Sequence, residues 1–317
     1  MSTITECQVL LTPDSAELKF LPEGPYSLPD GRLSWVGIQH GGDSEVGSVN
    51  VFDQEAGNQS FELPGRPGFA FPTTQQGVFI CGVERQLGLY NTTDGSWTVL
   101  ADGIDSNADN TIINDGVVFG DNLVFGCKHL EFNQKIAGLY LWRGSDSQLI
   151  QLRTDQICSN GKAIQRREDG SLVLFDIDSP TKLITQATLD IAGGALSEPE
   201  VLIDLTAEDR FPDGMIATPD GQSLIVAYYD PGDPAYGIAH QYSIASGAVE
   251  AEWRCPESPR VTCPQLWQVD DRVHLVLTTA VEHMEADQLA RHPEAGSLFV
   301  GETPFRTSGD QPLFPVN

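Results

Sequence analysis

Four side chains with oxygen donors recur at matching places in this chain. They are Glu23 in Pro22-Glu23-Gly24-Pro25, Asn114 in Asn114-Asp115-Gly116, Asn160 in Ser159-Asn160-Gly161 and Asp213 in Pro212-Asp213-Gly214. Carboxylate and amide oxygens are the ligands that hard divalent cations of the Ca2+, Mg2+ or Mn2+ type take. Each motif alone is ordinary turn chemistry, because Pro, Gly, Asn and Asp punctuate turns in any protein. Their shared register sets them apart. Each lies eight to eleven residues before the start of a β-prone apolar run, and so do Gly68 and Cys263.

Those runs are Leu33–Ile38, Val78–Gly82, Asn122–Cys127, Ser171–Asp178, Ser223–Asp230 and Val273–Ala280. The unit therefore recurs about every 50 residues, the length of a propeller blade. Each run is answered by another: Gly47–Asp53, Leu87–Tyr90, Gly138–Trp142, Lys182–Leu189, Ile238–Ile244 and Ser297–Val300. Turns close at Thr93-Asp94-Gly95 and Ser246-Gly247. No stretch keeps a helical period over three turns, and Val281–Arg291 offers one or two turns inside a loop. The expected fold is all-β, one domain over residues 1–317: a six-bladed β-propeller whose chain ends meet in one blade. Rotation about its axis brings Glu23, Gly68, Asn114, Asn160, Asp213 and Cys263 to one mouth. Two carboxylates that close repel unless a cation separates them or one stays protonated.

Charge narrows the partners. With 45 acidic and 18 basic residues the formal net charge is −27. Such a field repels nucleic acid and anionic membranes. A solvated acidic face, or a saline habitat, accounts for it without a specific metal. No nucleic acid, membrane or protein partner is implied. The start MSTITECQVL lacks the basic and apolar regions of a signal peptide, and no run of ~18 apolar residues occurs. The expectation is a soluble cytoplasmic protein. The six cysteines are scattered without a CxxC pair and read as buried reduced thiols, with a Cys255–Cys263 bridge open only for an exported chain.

The motifs in sequence are EGP at 23–25, NDG at 114–116, SNG at 159–161, IDS at 177–179, PDGM at 212–215, VAYYDPG at 226–232 and VTCPQL at 261–266. In this order and spacing the chain resembles the gluconolactonase, regucalcin (senescence marker protein) and luciferin-regenerating family of six-bladed propellers. The resemblance runs from Glu23 to the Leu298-Phe299 strand. It implies that Glu23, Asn160 and Asp213 ligate one divalent cation, Ca2+ foremost, with Mg2+, Mn2+ or Zn2+ as alternatives. It also implies that Asn114 borders the substrate. Two departures stand out. Relatives carry an Arg two residues before the NDG Asn, where it helps bind a sugar-acid lactone, and this chain has Ile112. A substrate-contacting Glu of the family's lid loop falls near Glu131, within the lid-like segment Lys128–Lys135.

The activity so implied is metal-dependent opening of a small lactone ring. The cation acts as a Lewis acid on the carbonyl, and Asp213 acts as general base on the attacking water. The patterns GxSxG and HExxH do not occur. His40, His129 and His283 fall in or beside loops, while His240 and His274 fall on strands. His129, at the lid segment, is the histidine set beside substrate. Two alternatives share the scaffold: a non-catalytic calcium-binding propeller, and a phosphoester or fluorophosphate hydrolase.

Overall fold

The computed structural model describes residues 2–316. Strand makes up 55% of it and helix 4%. The strands form six sheets, antiparallel but for one added strand and numbered in order of their first strands, in two compact units.

One unit comprises residues 67–208 and 312–317 and holds sheets two to four. Sheet two is Pro67–Pro72, Val78–Val83, Gln86–Asn91 and Trp97–Ala101. Sheet three is Thr111–Phe119, Asn122–His129, Ala137–Arg143 and Gln148–Gln156. Sheet four is Ser159–Arg166, Leu172–Asp178 and Leu183–Asp190, whose far edge pairs with both Ala195–Leu196 and Glu200–Asp204. The first strand of sheet three touches those of sheets two and four. Between sheets three and four, Val124, Leu139 and Leu141 pack on Leu172, Leu174 and Leu189. Phe69 and Phe125, with ring centres 5.8 Å apart, fill the space between sheets two and three.

The other unit comprises residues 1–66 and 209–311 and holds sheets one, five and six. Sheet one is Pro22–Ser27, Leu33–Gly37, Ser48–Asp53 and Gly57–Glu62. Sheet five is Phe211–Ala217, Ser223–Tyr229, Tyr236–Ser243 and Val249–Pro256, extended by Thr3–Glu6 running parallel to its last strand. Sheet six is Val261–Val269, Arg272–Thr279 and Leu298–Glu302, completed by Gln8–Leu11 from the other end of the chain. The chain ends thus meet in one sheet, as expected, while the parallel strand Thr3–Glu6 is an addition. Trp253, Ile225 and Ala227 pack on Leu266, Leu275 and Phe299, and Trp35 packs with Trp267.

The apolar runs read from sequence are strands, and all five residues of Leu33–Gly37 are buried. A strand covered on both faces needs no polar alternation, which is why these runs are continuous. They are, however, the second strands of their sheets. The residues read as turns before them lie inside the first strands. Each first strand carries a register shift at the marked residue: Glu23/Tyr26, Pro67/Phe69, Ile113/Gly116, Asn160/Lys162, Pro212/Met215 and Val261/Pro264. A bulge and a turn draw on the same Gly, Pro, Asn and Asp, so composition does not separate them. Among the described residues α-helix is confined to Ala16–Phe20 and Ala286–Arg291, the latter within the expected loop and started by a Glu285/Gln288 capping box, and a 3-10 turn spans Ser179–Thr181.

Candidate metal and substrate site

A bulge turns a side chain out of the regular alternation of its strand, and here it presents Asn114 and Asn160 to each other. Asn114 Nδ2 donates to Asn160 Oδ1 at 2.9 Å and to the Ser159 carbonyl at 2.9 Å. Asn160 Nδ2 donates to Ser179 Oγ at 2.9 Å. The amide is therefore held at both ends. Gly68 completes this group of three marked positions, because a Cβ there would lie 2.1 Å from the Asn114 carbonyl oxygen. Only glycine allows the two first strands to approach that closely.

Below the pair lies a buried charge network. Lys162 Nζ donates to the Asn160 carbonyl at 2.5 Å and stands 3.5 Å from Asp176 Oδ1. Gln156 Nε2 donates to Asp176 Oδ2 at 2.5 Å. Burial raises the Asp176 carboxyl above the usual range, and the Lys162 charge pulls it back. Asp178 accepts from the Cys158 N–H at 2.9 Å and the Ile157 N–H at 3.1 Å, fixing the segment that enters the Asn160 strand. Burial outweighs those bonds and raises its carboxyl too. Ser179 and Lys162 were not foreseen as site residues. A lysine two places after Asn160 within a strand was the available signal for the second.

In the other unit, Glu23, Cys263 and Asp213 form the matching group. Thr262 Oγ1 donates to the Pro22 carbonyl at 2.6 Å, joining the strand of Cys263 to that of Glu23. A Cβ on Gly214 would lie 2.7 Å from Cys263 Cα, joining it to that of Asp213. Glu23 is half-buried and takes the Gly24 N–H at 2.9 Å, with Gly24 at φ +48° in the left-handed region. Asp213 is buried. Tyr229, across from Phe211 in register, lies within its field. Burial chiefly raises the Tyr229 hydroxyl, the charges of Glu282 and Asp213 add to this, and Arg260 opposes them. Tyr229 Oη donates to the Glu282 carbonyl at 3.0 Å, and the Arg260 guanidinium covers its ring.

The lid-side residues fare differently. His129 ends the second strand of sheet three at 1% exposure, and its Nδ1 accepts from the Glu131 N–H at 3.3 Å. Glu131 is exposed on the following loop and takes Asn133 Nδ2 at 3.0 Å. Ile112 is buried and lies opposite Lys128. All six cysteines are buried, and none is in a disulfide.

The donors on offer suit a hard cation. Asn160 Oδ1 spends one lone pair on Asn114 and keeps its second. Among the described residues no three or more His, Cys, Asp or Glu gather as a metal cage. The marked donors are instead mixed amide and carboxylate oxygens, the set that calcium and magnesium take.

The family description SMP-30/Gluconolactonase/LRE-like region matches residues 21–281. The chain belongs to this family. A Bacillus subtilis (strain 168) protein that carries the provisional name sugar lactone lactonase YvrE is 27% identical over 296 residues, covering 92% of this chain and 93% of that one. Regucalcin of Danio rerio is 26% identical over 238 residues, 69% of this chain and 74% of that one. The crystal structure of regucalcin, a calcium-binding protein, from Agrobacterium tumefaciens superposes with a TM-score of 0.82 at 20% identity over the whole of both chains. A luciferin-regenerating enzyme superposes with a TM-score of 0.75 at 17% identity, over 92% and 95% of the two chains. The six sheets are the blades of a six-bladed β-propeller.

Proposed function

We propose that this member of the SMP-30/gluconolactonase family is a lactonase that opens the ring of a small lactone, with Glu23, Asn160 and Asp213 holding one divalent cation. Family membership together with the bulge at each marked position carries this reading. The name of the Bacillus subtilis relative supports the reaction, and the calcium-binding description of the Agrobacterium regucalcin supports the ion. When bound, the cation supplies Lewis-acid polarisation of the lactone carbonyl.

The chain's own groups do the rest. Asp213, a buried carboxylate, takes the proton of the attacking water. Asn114 orients the Asn160 amide and keeps its own oxygen for a substrate hydroxyl. Glu131 borders the substrate from the lid loop, and His129 contributes by holding the backbone of that loop. The small-molecule substrate is the only partner this reading requires. A cytoplasmic setting belongs to this reading and is supported by six buried cysteines, none in a disulfide.

A second reading keeps the ion and drops the turnover. The calcium-binding description of a relative and the apolar Ile112 both favour it. A lactone panel with Ca2+, Mg2+, Mn2+ or Zn2+ against EDTA decides between them, with thermal unfolding run in parallel. Turnover lost in EDTA and restored by a cation supports the lactonase. Cation-dependent stabilisation without turnover on any lactone supports the second reading. Neither effect appearing sinks both.

A further inference from the structure

Three basic side chains are buried among the described residues: Lys128, Lys162 and Arg260, at 8%, 3% and 2% exposure. Two of them are held by protein oxygens. Lys162 donates to the Asn160 carbonyl beside Asp176, and Arg260 donates to the Glu282 and His283 carbonyls. Lys128 is different. Its ammonium makes no hydrogen bond or ion pair among the described residues, and lies 6.0 Å from the Phe132 ring centre, at the edge of cation–π reach. Ile112, directly opposite, brings no counter-charge. The stem of Lys128 is buried, but its ammonium is not among the buried nitrogens left without a partner, so the charge reaches water and stays open to an incoming acceptor.

Its place in the sheet says where such an acceptor would lie. Val117 and Val124, opposite each other on the same two strands, pack on Leu172 and Leu174 of sheet four. Strand alternation by twos carries Gly126 and then Lys128 to that same face. Gly126 verifies the direction, since a Cβ there would lie 1.9 Å from Ser159 Oγ. Lys128 is also bridged to Cys158, next to Ser159 and Asn160. Asn114, Asn160 and Lys128 thus share one inter-sheet face, and the loop carrying Phe132 follows directly after it.

We propose that Lys128 is a specificity-determining residue that takes an anionic group of the substrate, so that the preferred lactone carries a carboxylate. This deepens the lactonase reading and rests on it. At net charge −27 the protein repels anions at long range, so preference for one requires a local cation within hydrogen-bond reach.

The test compares a γ-lactone bearing a ring carboxylate with its methyl ester, on the wild type, K128M, K128R and the exposed-charge control K135M. Expected is an acid-over-ester ratio of kcat/KM that falls roughly ten- to hundredfold in K128M, chiefly through KM, the range for a charge-assisted hydrogen bond. K128R should recover part of it, and K135M should keep it. K128Q replaces K128M should the latter fail to fold. An unchanged ratio overturns the proposal. Thermal unfolding with gluconate against uncharged sorbitol gives a readout without turnover. If no lactone reacts, yet gluconate stabilises the wild type and not K128M, hydrolysis falls and the anion site stands. If gluconate stabilises both equally, or neither, the role of Lys128 is refuted.

Discussion

Asn114 donates its amide N–H to Asn160 Oδ1 at 2.9 Å across 46 positions of sequence, and both residues sit at bulges of neighbouring first strands. The bond fixes which end of the Asn160 amide presents oxygen. An amide that could turn freely would offer a ligand oxygen only part of the time.

Replacing Asn114 with Ala removes that orienting donor. A loss of about 1 kcal/mol in stability is expected, together with weaker cation-dependent stabilisation. Urea unfolding with and without Ca2+ measures both. Cation stabilisation equal to that of the wild type would show that the Asn160 amide needs no such support.

Asp213 is both general base and ligand in the proposed reaction. Asp213→Ala should remove hydrolysis and cation-dependent stabilisation together, while Asp213→Asn should retain part of the cation response and lose turnover. Steady-state assays alongside melting curves read the two effects. A fully active Asp213→Ala enzyme ends the proposal.

Lys162 and Asp176 are 3.5 Å apart with both side chains buried. Breaking such a pair from one side leaves a bare charge in the interior and costs about 3–5 kcal/mol. Lys162→Met alone should lose that much, and the double replacement with Asp176→Leu should recover a good part of it. Chemical denaturation of all three variants tests the coupling. Additive losses would show that the two charges are independent.

Asp178 sets an expected pH response. Its folded carboxyl is raised by burial, so the native state holds this proton more tightly than the unfolded chain does. The stabilising contribution is then fully present below the unfolded carboxylate pKa and is lost as pH rises through the folded value. Asp178→Asn, neutral throughout, should flatten that part of the stability profile. Urea midpoints taken across the acidic range up to neutrality provide the measurement, and an unaltered slope contradicts the assignment.

Much of this was legible in the chain itself. The repeat length, the six units and the paired runs all follow from apolar runs and turn residues, because strand pairing between sequence neighbours is a local matter; the meeting of the chain ends was instead expected from the closure that a repeating blade requires. The shared register of Glu23, Gly68, Asn114, Asn160, Asp213 and Cys263 was legible for the same reason. That these residues lie on bulged strands rather than turns was not, since both structures use the same residue types.

Side-chain partnerships were decided only by the tertiary structure. Asn114 meeting Asn160, Lys162 lying against Asp176, His129 being buried and Lys128 being left without an acceptor all depend on which sheets pack face to face. Residues tens of positions apart carry no mark of one another in a single sequence. Sequence determined the repeating unit and the donor types, and packing between sheets determined which donors are engaged and which charge is still waiting for a partner.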